Sequence, residues 1–81
     1  MLIKYELEVS CRCPVDGLPD KYQVTIETSE TICVEEIIEK ASELKDLTMF
    51  QEELTQNLHR SFNCSVSTFG YHSGVKTSVY T

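Results

Sequence analysis

Apolar–polar alternation at both ends of the chain, with helical apolar spacing between them, predicts an α+β fold in the order β-β-α-α-β-β. That order implies one four-stranded antiparallel sheet carrying both helices on one face. At 81 residues the chain has the length of a single domain, 1–81, near the lower limit for a self-sufficient core.

In residues 2–13, Tyr5, Leu7, Val9, Cys11 and Cys13 share one face, and Lys4, Glu6, Glu8, Ser10 and Arg12 share the other. Period two of this kind is a strand with one buried face. Pro14 ends it, and Asp16-Gly17 is a turn signal. Alternation resumes over Lys21–Thr28, with Tyr22, Val24 and Ile26 on the apolar side. The two strands are expected to pair antiparallel across a loop of seven to eight residues.

Ser29-Glu30-Thr31 interrupts the pattern, and from about Cys33 the spacing becomes helical. Val34, Ile37, Ile38, Ala41 and Leu44 form one stripe, with Glu35, Glu36 and Glu39 near the start and Lys40 and Lys45 later, as the helix dipole favours. Thr48-Met49-Phe50-Gln51 matches a capping box and predicts the start of a second helix. Phe50, Leu54, Leu58 and Phe62 follow at intervals of four and are expected to face the core. Asn63 reads as the stop. Cys64–Tyr71 alternates, with Val66 in one set and Phe69 and Tyr71 in the other. His72-Ser73-Gly74 is a tight turn, and Val75, Thr77 and Val79 belong to a last β-branched strand.

The net charge of −6, from seven basic and thirteen acidic residues, argues against an extended nucleic-acid footprint, because the cations are scattered rather than clustered. A local contact to tRNA or DNA, needing few charges, stays compatible. No run of about 18 apolar residues offers a membrane span, and charge appears at once after Met1, unlike a signal peptide. A cytoplasmic location is the expectation. Cys11, Cys13, Cys33 and Cys64 then read as free thiols. Cys11-x-Cys13, with His59, His72 and Cys64 remote, is a weak zinc pattern, so no metal is expected.

One stretch carries chemistry: Cys13-Pro14-Val15-Asp16-Gly17-Leu18-Pro19-Asp20. It sets a thiol at a strand end and a carboxylate seven residues later, on a path stiffened by two prolines. A thiolate that attacks a carbon–nitrogen triple bond leaves charge on nitrogen, and a nearby carboxyl can supply the proton. A strand cysteine also packs as a small core residue and Pro-Asp also builds turns, so spacing leaves both readings open.

Cys13-Pro14-Val15-x-Gly17-x-Pro19-Asp20 resembles the active-site motif of the nitrile reductases of queuosine biosynthesis, which act on 7-cyano-7-deazaguanine. The resemblance implies that Cys13 forms a covalent thioimide with the nitrile and Asp20 transfers a proton. Phe50-Gln51-Glu52-Glu53 is similar to the family's Phe-His-Glu segment, which implies that Glu52 grips the guanine-like edge and that Gln51 also lies at the substrate. Tyr71-His72-Ser73-Gly74-Val75 matches more weakly the family's turn before the last strand; His72 beside Gly74 either replaces the missing histidine, as an acid/base or a substrate contact, or is a solvated loop residue. The family's tunnelling fold has the unit β-β-α-α-β-β. The open edges of the two outer strands would be covered in a closed ring whose subunits join their sheets edge to edge, so a homo-oligomer is expected.

Three departures are informative. The reductases bind NADPH through a lysine-containing segment before the first helix, whereas Ser29–Glu36 here has no lysine and is acidic. Gln51 stands where the family has histidine, and the chain is shorter than a typical reductase. A short branch without the NADPH segment, the archaeosine-forming reductase-like amidinotransferases, is the better match. It implies no cofactor, with ammonia attacking the thioimide to give an amidine. An NADPH-dependent reductase and a noncatalytic oligomeric base-binding module are the alternatives. Of the other residues, His59 suits a helix C-terminus, Glu35, Glu36, Glu39 and Glu43 suit a solvated face, and Tyr22, Phe69 and Tyr71 either pack in the core or stack on a flat base.

Overall fold

The computed structural model describes residues 1–81. Its elements are β1 (Ile3–Arg12), β2 (Pro19–Thr28), α1 (Val34–Leu44), α2 (Gln51–Phe62), β3 (Ser65–His72) and β4 (Val75–Tyr80). The strands form one antiparallel sheet in the order β1-β2-β3-β4. The order of elements and the antiparallel sheet are those the periodicity predicts. No helix is long and apolar enough to cross a membrane.

Alternation sets which residues meet the helices. Val9 and Cys11 of β1, Tyr22, Val24 and Ile26 of β2, and Val66 of β3 are buried together with Ile37, Leu44, Met49, Leu54 and Leu58. Directly paired residues share a face of the sheet. The pairs Val9↔Tyr22 and Cys11↔Asp20 therefore put Asp20 on the helix-covered side, in line with the core.

Several boundaries differ from expectation. β2 starts at Pro19, two residues before the predicted Lys21, leaving a six-residue loop (residues 13–18). The cause is tight local bonding: Cys13 N–H donates to Leu18 O at 2.8 Å, Gly17 N–H to Cys13 O at 2.8 Å, and Leu18 N–H to the Asp16 carboxylate at 3.0 Å. Asp20 therefore sits on a strand rather than in a loop. Helix α2 starts at Gln51, not Thr48. Residues 47–49 instead pair with the end of β1, since Arg12 N–H donates to Leu47 O at 2.8 Å and Met49 N–H to Arg12 O at 3.1 Å. The reciprocal cap is supplied by Glu53, whose carboxylate accepts from Phe50 N–H at 3.2 Å.

Three side-chain expectations are also corrected. Phe50, read as core, lies before the helix rather than on its inner stripe and is 50% exposed. Val34 and Ile38 of the α1 stripe are exposed, because α1 packs mainly over the edge strand β1 and its outer flank overhangs. Phe69 and Tyr71 lie on the open face of β3, opposite Val66, Thr68 and Gly70, and so serve neither the core nor the helix-covered side. Lys76 sits over the Phe69 ring at 4.5 Å. Asn63 ends α2 in the left-handed conformation at φ 52°. Ser73 and Gly74, at φ 51° and 83°, make the two-residue turn between β3 and β4.

Candidate functional site

At the end of the sheet where β1 runs into the 13–18 loop, a cavity of about 320 Å³ opens between the loop, β2, the start of α2 and the β3–β4 turn. Its lining includes Cys13, Asp20, Gln51, Glu52 and His72, all five residues singled out in the sequence. They come from four segments spread over 60 residues, and register brings them together. Cys13 continues the core-facing row of β1, Asp20 lies opposite Cys11, and His72 ends the buried row of β3. The pairing of residues 47–49 with Arg12 carries Gln51 and Glu52 to the same place.

The two neighbouring thiols are sharply different. Cys11 is fully buried, and its Sγ–H points at Met49 O at 3.6 Å. Burial, reinforced by the charges of Asp20, Cys13 and Glu53, pushes its pKa from 9.0 to about 11. Cys11 is thus a protonated packing residue. Cys13 is half-buried at the cavity, and Val15 N–H donates to its sulfur at 3.4 Å. That donor is the kind of partner an anionic sulfur uses during attack. The Arg12 guanidinium, on the opposite face, turns to Gly17 O at 3.2 Å and braces the loop.

Asp20 is held by Tyr22, whose hydroxyl donates to its carboxylate at 3.3 Å. Burial, followed by the Asp20 charge, raises the tyrosine pKa well above its ordinary value. The Tyr22 ring lies 5.8 Å from that of His72. Tyr22 therefore links the acid on one wall to the imidazole on another. The sequence left Tyr22 open between core and stacking, and did not connect it to Asp20. The available signal was Gly70, a lone glycine inside a strand pattern, which often marks a close approach. A Cβ there would stand 2.6 Å from Tyr22 Cδ1.

Gln51 is buried and fully engaged. Its Nε2 faces Thr77 O at 2.9 Å, Thr68 Oγ1 at 3.1 Å and Thr68 O at 3.3 Å, while its Oε1 lies 3.1 Å from His72 Nε2. The Thr55 hydroxyl completes the network, donating to Gln51 O at 2.8 Å and lying 2.8 Å from the Thr68 hydroxyl. Gln51 is thus a structural hub behind His72. Glu52 is exposed in the first turn of α2 at the cavity mouth, where the helix dipole favours a carboxylate. Phe50 contributes a half-exposed aromatic face beside it.

No protein-family model matches the sequence, and no curated protein matches it. Among solved structures, the crystal structure of the archaeosine synthase QueF-Like in the apo form superposes with a TM-score of 0.91 at 19% identity. The match covers 99% of this chain and 90% of that one. The chain has the tunnelling fold. Within it, the cavity joins one thiol, two carboxylates and one imidazole on the helix-covered end of the sheet.

Proposed function

We propose that the chain is an amidinotransferase-like enzyme of the archaeosine-forming, reductase-like branch, adding ammonia to the nitrile of 7-cyano-7-deazaguanine. The observation that carries the reading is the convergence of Cys13, Asp20 and Glu52 on one cavity. Cys13 Sγ attacks the nitrile carbon. Its S–H bond is replaced by an S–C bond, and the proton reaches the nitrile nitrogen by way of the Asp20 carboxyl group. Ammonia then adds to the thioimide carbon, the C–S bond breaks, and the thiol is restored with an amidine as product. Atoms balance without oxidant or reductant.

Glu52 is suited to accept hydrogen bonds from the N–H groups of a guanine-like edge, and Phe50 offers a flat wall for the ring. The lining holds the carboxylates of Asp20 and Glu52 and no Lys or Arg, which favours a hydrogen-bond-donating neutral base over a phosphate-rich dinucleotide. That argues for ammonia rather than NADPH as the second reactant. The base is either free or part of a nucleotide in tRNA or DNA. The edges of β1 and β4 have no strand partner, and α1 overhangs the first of them, which suits a homo-oligomeric ring that pairs the edges and deepens the site.

Incubation with the nitrile base should add the mass of one base to the intact protein, and Cys13→Ala should abolish the adduct. A wild-type chain that forms no adduct rules the reading out. Ammonium should release an amidine; release of an amine only with NADPH would transfer the assignment to the reductase. Glu52→Ala should weaken base binding by about 10-fold or more, as expected for loss of a charged hydrogen-bond partner worth roughly 1.5–3 kcal/mol. Cys13 should remain open to alkylation in that variant.

A further inference from the structure

His72 has a defined proton arrangement that follows from Gln51. The amide nitrogen of Gln51 faces two main-chain carbonyls, Thr68 O and Thr77 O, which can only accept. The amide oxygen is thereby directed at His72 Nε2, 3.1 Å away, so Nε2 must carry hydrogen. In the neutral imidazole the lone pair then resides on Nδ1. No hydrogen bond engages Nδ1, yet no buried side-chain nitrogen or oxygen is without a partner, so Nδ1 is accessible. His72 lines the cavity that holds Cys13 and Asp20.

We propose that His72 Nδ1 is the base of the second half-reaction, with Gln51 as the positioning residue that directs its lone pair. This rests on the amidinotransferase reading above. Ammonia attacking the thioimide carbon becomes a positively charged nitrogen, and Nδ1 removes one proton from it as the C–N bond forms. The C–S electron pair leaves with Cys13, and the proton passes from the imidazolium to the departing sulfur. His72 and Asp20 thus serve different nitrogens, and both meet Tyr22, Asp20 through its hydroxyl and His72 at its ring.

The assignment separates from a purely structural role through His72→Gln. A glutamine amide reaches the Nε2 position and can keep the bond to Gln51, but it has nothing at Nδ1. The Cys13 adduct is accumulated with the nitrile base, freed of excess base, and its decay on adding ammonium is followed by intact mass. Decay should be slower by about 10²-fold in His72→Gln, the lower end for loss of a general base. Wild-type decay in His72→Gln overturns the base role while the adduct itself upholds the enzyme reading. Absence of an adduct in the wild type removes both. Independently of turnover, nitrogen-15 NMR of the wild type should show a protected Nε2–H proton on neutral His72 that is lost in Gln51→Leu. An Nδ1–H resonance instead overturns the proton arrangement.

Discussion

Gly70→Ala would test how tightly the strand carrying His72 is fitted to the site. The new methyl carbon would lie 2.6 Å from Tyr22 Cδ1, 2.9 Å from Cε1 and 3.2 Å from Lys21 O. Carbon atoms ordinarily approach no closer than about 3.5 Å, so the overlap is about 1 Å. Tyr22 has little room to yield, being 2% exposed, bonded through its hydroxyl to Asp20 and set against His72. Overpacking of this kind costs about 1–3 kcal/mol, while alanine regains about 0.5–1 kcal/mol over glycine in a strand interior. The net expectation is a loss of up to about 2.5 kcal/mol, or up to roughly 20 °C in Tm for a domain of this size. Denaturant and thermal unfolding measure it. In a Tyr22→Leu background the ring contacts are gone and only the 3.2 Å approach to Lys21 O is left, so the same alanine should cost less than it does with Tyr22 intact. If Gly70→Ala raises the midpoint with Tyr22 intact, the close approach is not a constraint and the reasoning is refuted.

Cys11 supplies a pH dependence. Its pKa is raised in the folded chain, from 9.0 to about 11, so its contribution to stability is complete below pH 9 and is lost as pH rises towards 11. Tyr22, also raised by burial, adds to the alkaline loss. Urea midpoints across that range should fall less steeply for Cys11→Ala. Thr55→Val removes a buried hydroxyl bonded to Gln51 O and the Thr68 hydroxyl and should cost about 1–3 kcal/mol in chemical unfolding, because partners are left unpaired. Asn63→Gly, at φ 52°, should raise the thermal midpoint slightly or leave it unchanged, since glycine adopts that conformation without strain; a loss above about 1 kcal/mol would contradict the assigned helix end.

Period-two and period-3.6 patterns made the six elements and most of the core legible, because burial of one face is a local repeat. Leu54, Leu58, Val24 and Ile26 are buried where the pattern puts them. The weak points lay where local signals compete with pairing elsewhere in the chain. Thr48-x-x-Gln51 is a sound capping pattern, but the backbone around Thr48 bonds to Arg12 and the helix waits until Gln51. Phe50 fits a spacing of four and still lies outside the helix, against the cavity. Phe69 and Tyr71 alternate correctly, but alternation does not say which set faces the helices; that depends on the partners of Val66 and Thr68.

The candidate site divides along the same line. Cys13 and Asp20 could be singled out from residue type and spacing, whereas Glu52, Gln51 and His72 were named through the resemblance of their segments to a family's motifs. Their assembly required strand register and the 47–49 pairing, which sum many long-range hydrogen bonds that no local window contains. The folded chain alone distinguishes Cys11 from Cys13, through full burial of one and only partial burial of the other at the cavity. It also alone shows Gln51 as the support of His72 and Tyr22 as the link to Asp20. Those roles depend on distances between segments, and distances arise only when the sheet closes beneath the helices.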